Sequence, residues 1–233
     1  MSTIKNIIRI PWYFVTGFIR CLQVGFLKIF GKIKISKYPM FIVYDPTPYK
    51  ITGTVLRKIA EIAKPGDIIC RRYEGYLDGY FIPGRFSHSG IYVGEGKMIH
   101  AMANGVQLID IIDFCRCDGI AILRCCKQDI NMYTRKACEI AKGCLGYPYD
   151  FHFDAHDPYK DQDKVEKRTE ALYCHELCRS CYPDLDIPLL KPSIWNGMIR
   201  SNKLQYLAQS FFDSPDMELV YDSDFCEPQV TIK

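Results

Sequence analysis

An α+β fold, with an antiparallel sheet or half-barrel packed on a cysteine-bearing helix, is the class this sequence predicts. Three observations lead there. Apolar runs at 89–93, 98–101, 106–109 and 120–125 follow one another with turn residues between them, as the strands of a meander do. Helical spacing flanks them, through Val55, Ile59 and Ile62 upstream and over 131–145 downstream. Tyr173-Cys174-His175-Glu176-Leu177 then reads as the opening of another helix, running from near Thr169 to about Cys181, with Cys174 in its first turn.

Taken in order, 7–35 is apolar and aromatic, punctuated by Arg9, Arg20, Lys28, Lys32 and Lys34 and free of acidic residues. The run from Ile10 to Ile19 is too short to span a bilayer. No small-residue cleavage site marks a signal peptide. A basic amphipathic helix of this kind suits a membrane interface, a partner, or its own domain. Residues 38–49 hold three prolines and read as an irregular connection. After the helix over 54–63, Lys64-Pro65-Gly66 turns the chain into a short buried strand at 67–70. Residues 71–85 and 147–167 read as long polar, aromatic loops, and 183–195 as irregular chain wrapping the site. The end, 213–227, is an acidic tail with one apolar patch, Leu219-Val220-Tyr221.

The chain has 233 residues, room for a sizeable core, and a formal net charge of +3, too small to argue for nucleic-acid binding. Its 12 cysteines lie in a long chain with regular elements rather than a short disulfide scaffold. Reduced thiols and a cytosolic setting are therefore expected, most of the thiols packing as small hydrophobes.

Two positions carry chemistry. Cys174 would sit where unpaired helical N–H groups favour a thiolate and can hold an oxyanion. His88, at the start of a strand, would be its general base or its imidazolium partner. His88, Gly90 and Tyr92 share one face of that strand, and Ser89, Ile91 and Val93 the other. His100, on the next strand, would orient His88 and fix its tautomer. Zinc is the rival chemistry, through Cys174, His175, Cys178 and Cys181. Four ligands on one helical stretch cannot converge tetrahedrally. His152 and His156, with Asp150, Asp154 and Asp157, form a second cluster that reads as a solvated loop. No metal or cofactor is expected.

Four blocks then carry a resemblance: Lys64-Pro65-Gly66-Asp67-Ile68-Ile69, Phe86-Ser87-His88-Ser89-Gly90-Ile91-Tyr92-Val93-Gly94, Gly146-Tyr147-Pro148-Tyr149-Asp150 and Tyr173-Cys174-His175-Glu176-Leu177. In order and approximate spacing, over roughly 64–195, they resemble the circularly permuted papain-like hydrolases of the YiiX type, in the NlpC superfamily. The resemblance implies a sheet that carries the histidine, His88, and a helix that carries the nucleophile, Cys174. The third polar position is commonly glutamate in that type and is His100 here, which resembles the lecithin:retinol acyltransferase-like branch. The residue after the cysteine, often serine, is His175.

The expected organisation is an amphipathic segment over 1–37, a permuted papain-like catalytic domain over 38–212 and the acidic tail over 213–233. The expected activity is that of a cysteine hydrolase, an amidase, peptidase or acyl-ester hydrolase, working through a thioacyl-enzyme with Cys174, His88 and His100. Tyr92, Tyr149, Asp150 and Tyr173 are expected to contact the substrate. The alternatives are a lipid acyltransferase or phospholipase at a membrane surface and an inactive binding module on the same fold. The partners expected are a peptide, amide or lipid-ester substrate and peripheral membrane contact through 7–35.

Overall fold

Alternation along each strand decides which layer its side chains join. The computed structural model describes residues 17–19, 21–26, 33–37, 40–44, 49–75, 82, 84–151, 171–191 and 204–225. In chain order its elements are β1 (Ile33–Lys37), β2 (Met40–Tyr44), α1 (Gly53–Ile62), β3 (Ile68–Arg72), β4 (His88–Gly94), β5 (Lys97–Met102) and β6 (Gly105–Asp110). They continue as α2 (Ile111–Phe114), β7 (Gly119–Cys125), α3 (Ile130–Gly143), α4 (Cys174–Ser180), α5 (Ala208–Phe212) and β8 (Met217–Asp222). β1 and β2 pair with each other, and the other six strands form one sheet ordered β6-β5-β4-β3-β7-β8. All its pairings are antiparallel.

The two faces of this sheet bury different sets of residues. Ile68, Cys70, Ile91, Ile99, Ala101, Ala121 and Leu123 face α3, α4 and α5, meeting Ala137, Ala141, Leu177, Cys178 and Phe211. Ile69, Tyr92, Met98, Ile120 and Ile122 face the other way, toward Ile59 of α1 and Ile111 and Phe114 of α2. β3, β4, β5 and β7 are thus apolar on both sides, as central strands between two helical layers must be.

The Asp67 carboxylate ties three elements at one corner. Wholly buried, it accepts from Arg124 Nε at 2.8 Å, Arg124 Nη2 at 2.7 Å and the Lys64 N–H at 2.8 Å. Arg124 Nη2 also donates to the Ile62 carbonyl at 2.9 Å. The Lys-Pro-Gly-Asp block therefore clamps the end of α1 and the start of β3 to β7.

Several expectations change here. The acidic tail supplies β8, which pairs with β7 through partners such as Ile122 and Tyr221. The cysteine helix begins at Cys174, and 171–173 are not helical, so it does not run from Thr169, which lies outside the described residues. Part of the supposed irregular connection at 38–49, and the end of the amphipathic segment, are the hairpin strands β1 and β2.

Removing one partner from a buried, bidentate ion pair leaves an uncompensated charge, a loss of about 3–5 kcal/mol. Asp67→Ala should lower unfolding free energy by that order in urea titrations. A loss below about 1 kcal/mol would show that the clamp contributes little.

Candidate active site

Cys174 opens α4, and its helix lies across β4 and β5. The packing is stitched at Ser89, whose hydroxyl donates to the Cys174 carbonyl at 3.3 Å, lies 2.8 Å from His175 Nδ1 and accepts from Cys178 Sγ at 3.3 Å. The Cys174 thiol turns toward the backbone N–H groups of Ser89, His175 and Cys174 itself. These favour the thiolate, but burial weighs more, and the thiol's pKa is pushed up to about 11.

His88 is one residue from Ser89 and so points off the other face of β4. It is the first residue of the strand, at the sheet's end, where Cys174 is the first residue of its helix. Its Nε2 lies 2.9 Å from His100 Nδ1. Their register explains this contact, because His100 is the direct partner of Gly90. A Cβ on Gly90 would lie 2.9 Å from the Ile99 carbonyl oxygen and 3.1 Å from His100 Cβ, so only glycine lets the two strands approach this closely here. Both rings lie against Phe114, at centroid distances of 5.6 Å and 5.5 Å. The Cys174 thiol faces the N–H of Ser89, the residue after His88, and no hydrogen bond joins thiol to ring.

His88 Nδ1 has no hydrogen bond among the described residues. The relay continues on its far side, where Gln107 Nε2 lies 3.2 Å from His100 Nε2 and Asn104 Nδ2 donates to Gln107 Oε1 at 3.1 Å. With these amides, His100 accepts at Nε2 and donates from Nδ1, and His88 carries its proton on Nδ1. Turning both amides by half a turn reverses every bond without moving a heavy atom, and then His88 Nδ1 is the bare nitrogen.

Burial, then the Arg71 charge, hold both rings neutral, with His88 well below its usual range and His100 at about 3. His175, buried in the first turn of α4, is likewise lowered to about 3 by burial. Burial thus favours the uncharged form of the thiol and of all three imidazoles.

Of the four residues expected to contact substrate, Tyr149 lies beside the site. Burial raises its phenol well above the usual value, and the nearby Cys174 and Asp150 add to that. Asp150 is half-buried next to it. Tyr92 lies elsewhere, and Tyr173, whose phenol also feels Cys174, is buried with its hydroxyl engaged by the fold. Tyr92 sits in the core under α1 and α2, where its hydroxyl accepts from the Gly96 N–H at 3.1 Å and braces the β4–β5 turn. Tyr173 is 2 % exposed, and its hydroxyl accepts from the Tyr206 N–H at 2.8 Å. Two residues at this cluster escaped the sequence reading. Gln107 could have been found from the β5–β6 register, which pairs it with His100. Arg71 pairs with His88 across β3–β4.

The eleven described cysteines are unpaired. His152, His156, Asp154 and Asp157 lie outside the described residues, and among those described no group of three or more His, Cys, Asp or Glu side chains could hold a metal ion.

The pH dependence follows in sign from the raised thiol. Below about 11 Cys174 is neutral, so its alkylation by uncharged iodoacetamide should climb steadily with pH through the alkaline range. A rate that is flat from about pH 5 to pH 8 would instead mark a preformed ion pair.

Comparisons with known proteins agree with this architecture. A search of curated protein sequences found no match. Among solved structures, the metalloprotein YiiX from Escherichia coli O157:H7 superposes with a TM-score of 0.50 at 18% identity, covering 68% of this chain and 96% of that one. The sequence model of the permuted papain-like amidase enzymes, YaeF/YiiX, C92 family, matches residues 62–221. That span takes in every strand of the six-stranded sheet apart from the last residue of β8, together with the cysteine helix, and the chain belongs to this family of papain-fold cysteine hydrolases.

Proposed function

We propose that the protein is an amidase in which Cys174 is the nucleophile, His88 the general base and His100 the residue that orients it. One observation carries the reading. The thiol rests on the Ser89 amide, beside a histidine whose Nε2 is held by a second histidine and whose Nδ1 has no partner. A neutral imidazole is the form that can take a proton, and burial keeps it in that form.

In this scheme the relay runs in the reversed sense, with both amides turned and His88 Nδ1 bare, and Cys174 Sγ bonds to the substrate carbonyl carbon as the thiol proton passes to that nitrogen. The oxyanion faces backbone N–H groups at the helix start, that of Cys174 among them. The carbon–nitrogen bond breaks as His88 returns the proton to the leaving amine. Water then gives a proton to His88 and its oxygen to the thioester carbon. The carbon–sulfur bond breaks, and the proton goes back to sulfur. An acyl acceptor other than water would make the same cycle a transferase.

A second reading has a specific observation behind it. Helical residues 17–19 and 21–26 expose Phe18 and Leu22, four positions apart on one face, in a segment that has basic but no acidic residues. That is the make-up of an interfacial helix. No helix among the described residues is long and apolar enough to cross a membrane. Such docking would bring the site to acyl lipids, whose ester or amide the same thiol could attack.

Turnover of a panel of N-acyl amides and acyl esters tests the chemistry. Cys174→Ala should lose roughly 10⁴-fold or more with its fold intact, and His88→Ala about 10²–10⁴-fold. Unchanged turnover in the alanine protein would remove the nucleophile. Absence of any turnover or covalent adduct in the wild type would leave the binding-module alternative.

Flotation with anionic phospholipid vesicles tests the second reading. The full chain should float, and a Phe18→Ser, Leu22→Ser double variant should float markedly less. Equal flotation of the two removes the membrane docking.

A further inference from the structure

Arg71 is a buried cation without a counter-ion. It is 6 % exposed, and none of the ion pairs among the described residues includes it. Its guanidinium carbon lies 4.5 Å from the centroid of Phe114, the ring that also carries the histidine pair, and 5.2 Å from that of Tyr73. Nη1 donates to the Phe114 carbonyl at 2.9 Å. The opposite edge is unspent. Nε is buried and has no partner, and Nη2 has only the Met102 thioether at 3.9 Å, a weak acceptor.

That arrangement is costly. A buried charge with no partner destabilises the fold, and so does an orphaned buried donor. A positive charge beside His88 and His100 also works against protonating the general base. Arginine matters here for its shape. Nε–H and Nη2–H form the parallel fork that grips one carboxylate or phosphate through two charge-assisted hydrogen bonds. Nη1 and Phe114 fix the orientation of the group and leave the hydrogen-bonding capacity of that fork unmet.

We propose that Arg71 is a specificity-determining residue that receives an oxyanion of the substrate, a carboxylate or a phosphate, on its Nε/Nη2 edge. The acyl compound handled by Cys174 is then an anion, and its binding supplies the charge that Arg71 lacks. This deepens the amidase reading and rests on Cys174 being the nucleophile.

Alkylation kinetics of the full-length protein test this without knowing the substrate. Iodoacetate and 3-bromopropionate are each compared with the corresponding amide, with mass spectrometry reading each cysteine. Exposed Cys21 and Cys126 serve as internal references. At Cys174 the acid-to-amide rate ratio should exceed that of the references by tenfold or more. Acetate or inorganic phosphate should slow iodoacetamide at Cys174 more than chloride does at equal ionic strength. Stronger protection by acetate marks a carboxylate substrate, and stronger protection by phosphate marks a phosphate ester. Arg71→Lys, which keeps the charge but not the fork, should lose most of the preference, and Arg71→Gln all of it, with unfolding curves recorded alongside. A ratio at wild-type Cys174 equal to that of the references, with no protection by either anion, overturns the proposal whether or not the variants fold. A Cys174 that reacts with none of the four reagents, while Cys21 and Cys126 do, overturns the nucleophile assignment and the anion receptor with it.

Discussion

β4 carries both halves of the site because consecutive side chains on a strand point to opposite faces. Ser89 faces α4 and is fastened to it through the Cys174 carbonyl, His175 and Cys178. His88 faces α2 and is fastened to β5 through His100. A one-residue slip of β4 would exchange the two and separate thiol from imidazole. The register is held on one side by β3, where Arg71 opposes His88, and on the other by β5, where Gly90 opposes His100. Between β4 and β5 the turn runs through Gly94, Glu95 and Gly96, all at positive φ, and the Tyr92 hydroxyl accepts from the Gly96 N–H. The reach of two short side chains is thus set by the pairing of three strands.

Much of this was legible in the sequence, for identifiable reasons. β4 to β7 have apolar residues bounded by glycine-bearing turns, and α1 and α3 have clear helical spacing, so each was recognised within a residue or two. β8 was hidden because an edge strand that exposes Glu218 and Leu219 among acidic neighbours looks like a tail. The start of α4 was displaced because Cys174 has no capping side chain before it, Tyr173 being the N-cap without a side-chain bond. Tyr92 and Tyr173 looked like cleft residues by proximity in sequence. Their hydroxyls brace the fold instead, which is visible only once Gly96 and Tyr206 are brought beside them. Arg71 and Gln107 depend on register alone, a property no local pattern carries.

Burial dominates the electrostatics of the cluster. Helical and strand N–H groups around Cys174 stabilise a thiolate, as its place in the first turn of α4 suggests, yet removal of the sulfur from water outweighs them. The same desolvation favours the neutral forms of His88, His100 and His175. In the proposed cycle charge would then be created as sulfur bonds to carbon, when proton transfer to His88 and the growing oxyanion would appear together and could stabilise each other at short range in a low dielectric.

Arg71 is a fixed charge beside the histidine pair, close to the proton relay. Arg71 repels a proton arriving on His88, which raises the barrier to general-base catalysis when the site is empty. An anion bound on the Nε/Nη2 edge would cancel that repulsion and let His88 accept the proton. Substrate charge would then act twice, once in binding and once in releasing the base. A neutral acyl compound of the same shape would fill the site and leave His88 opposed by an uncompensated guanidinium. Discrimination between the two would accordingly fall on the chemical step as well as on affinity, since the anion would remove the charge that opposes proton transfer to His88 at the moment the thiol must give up its proton.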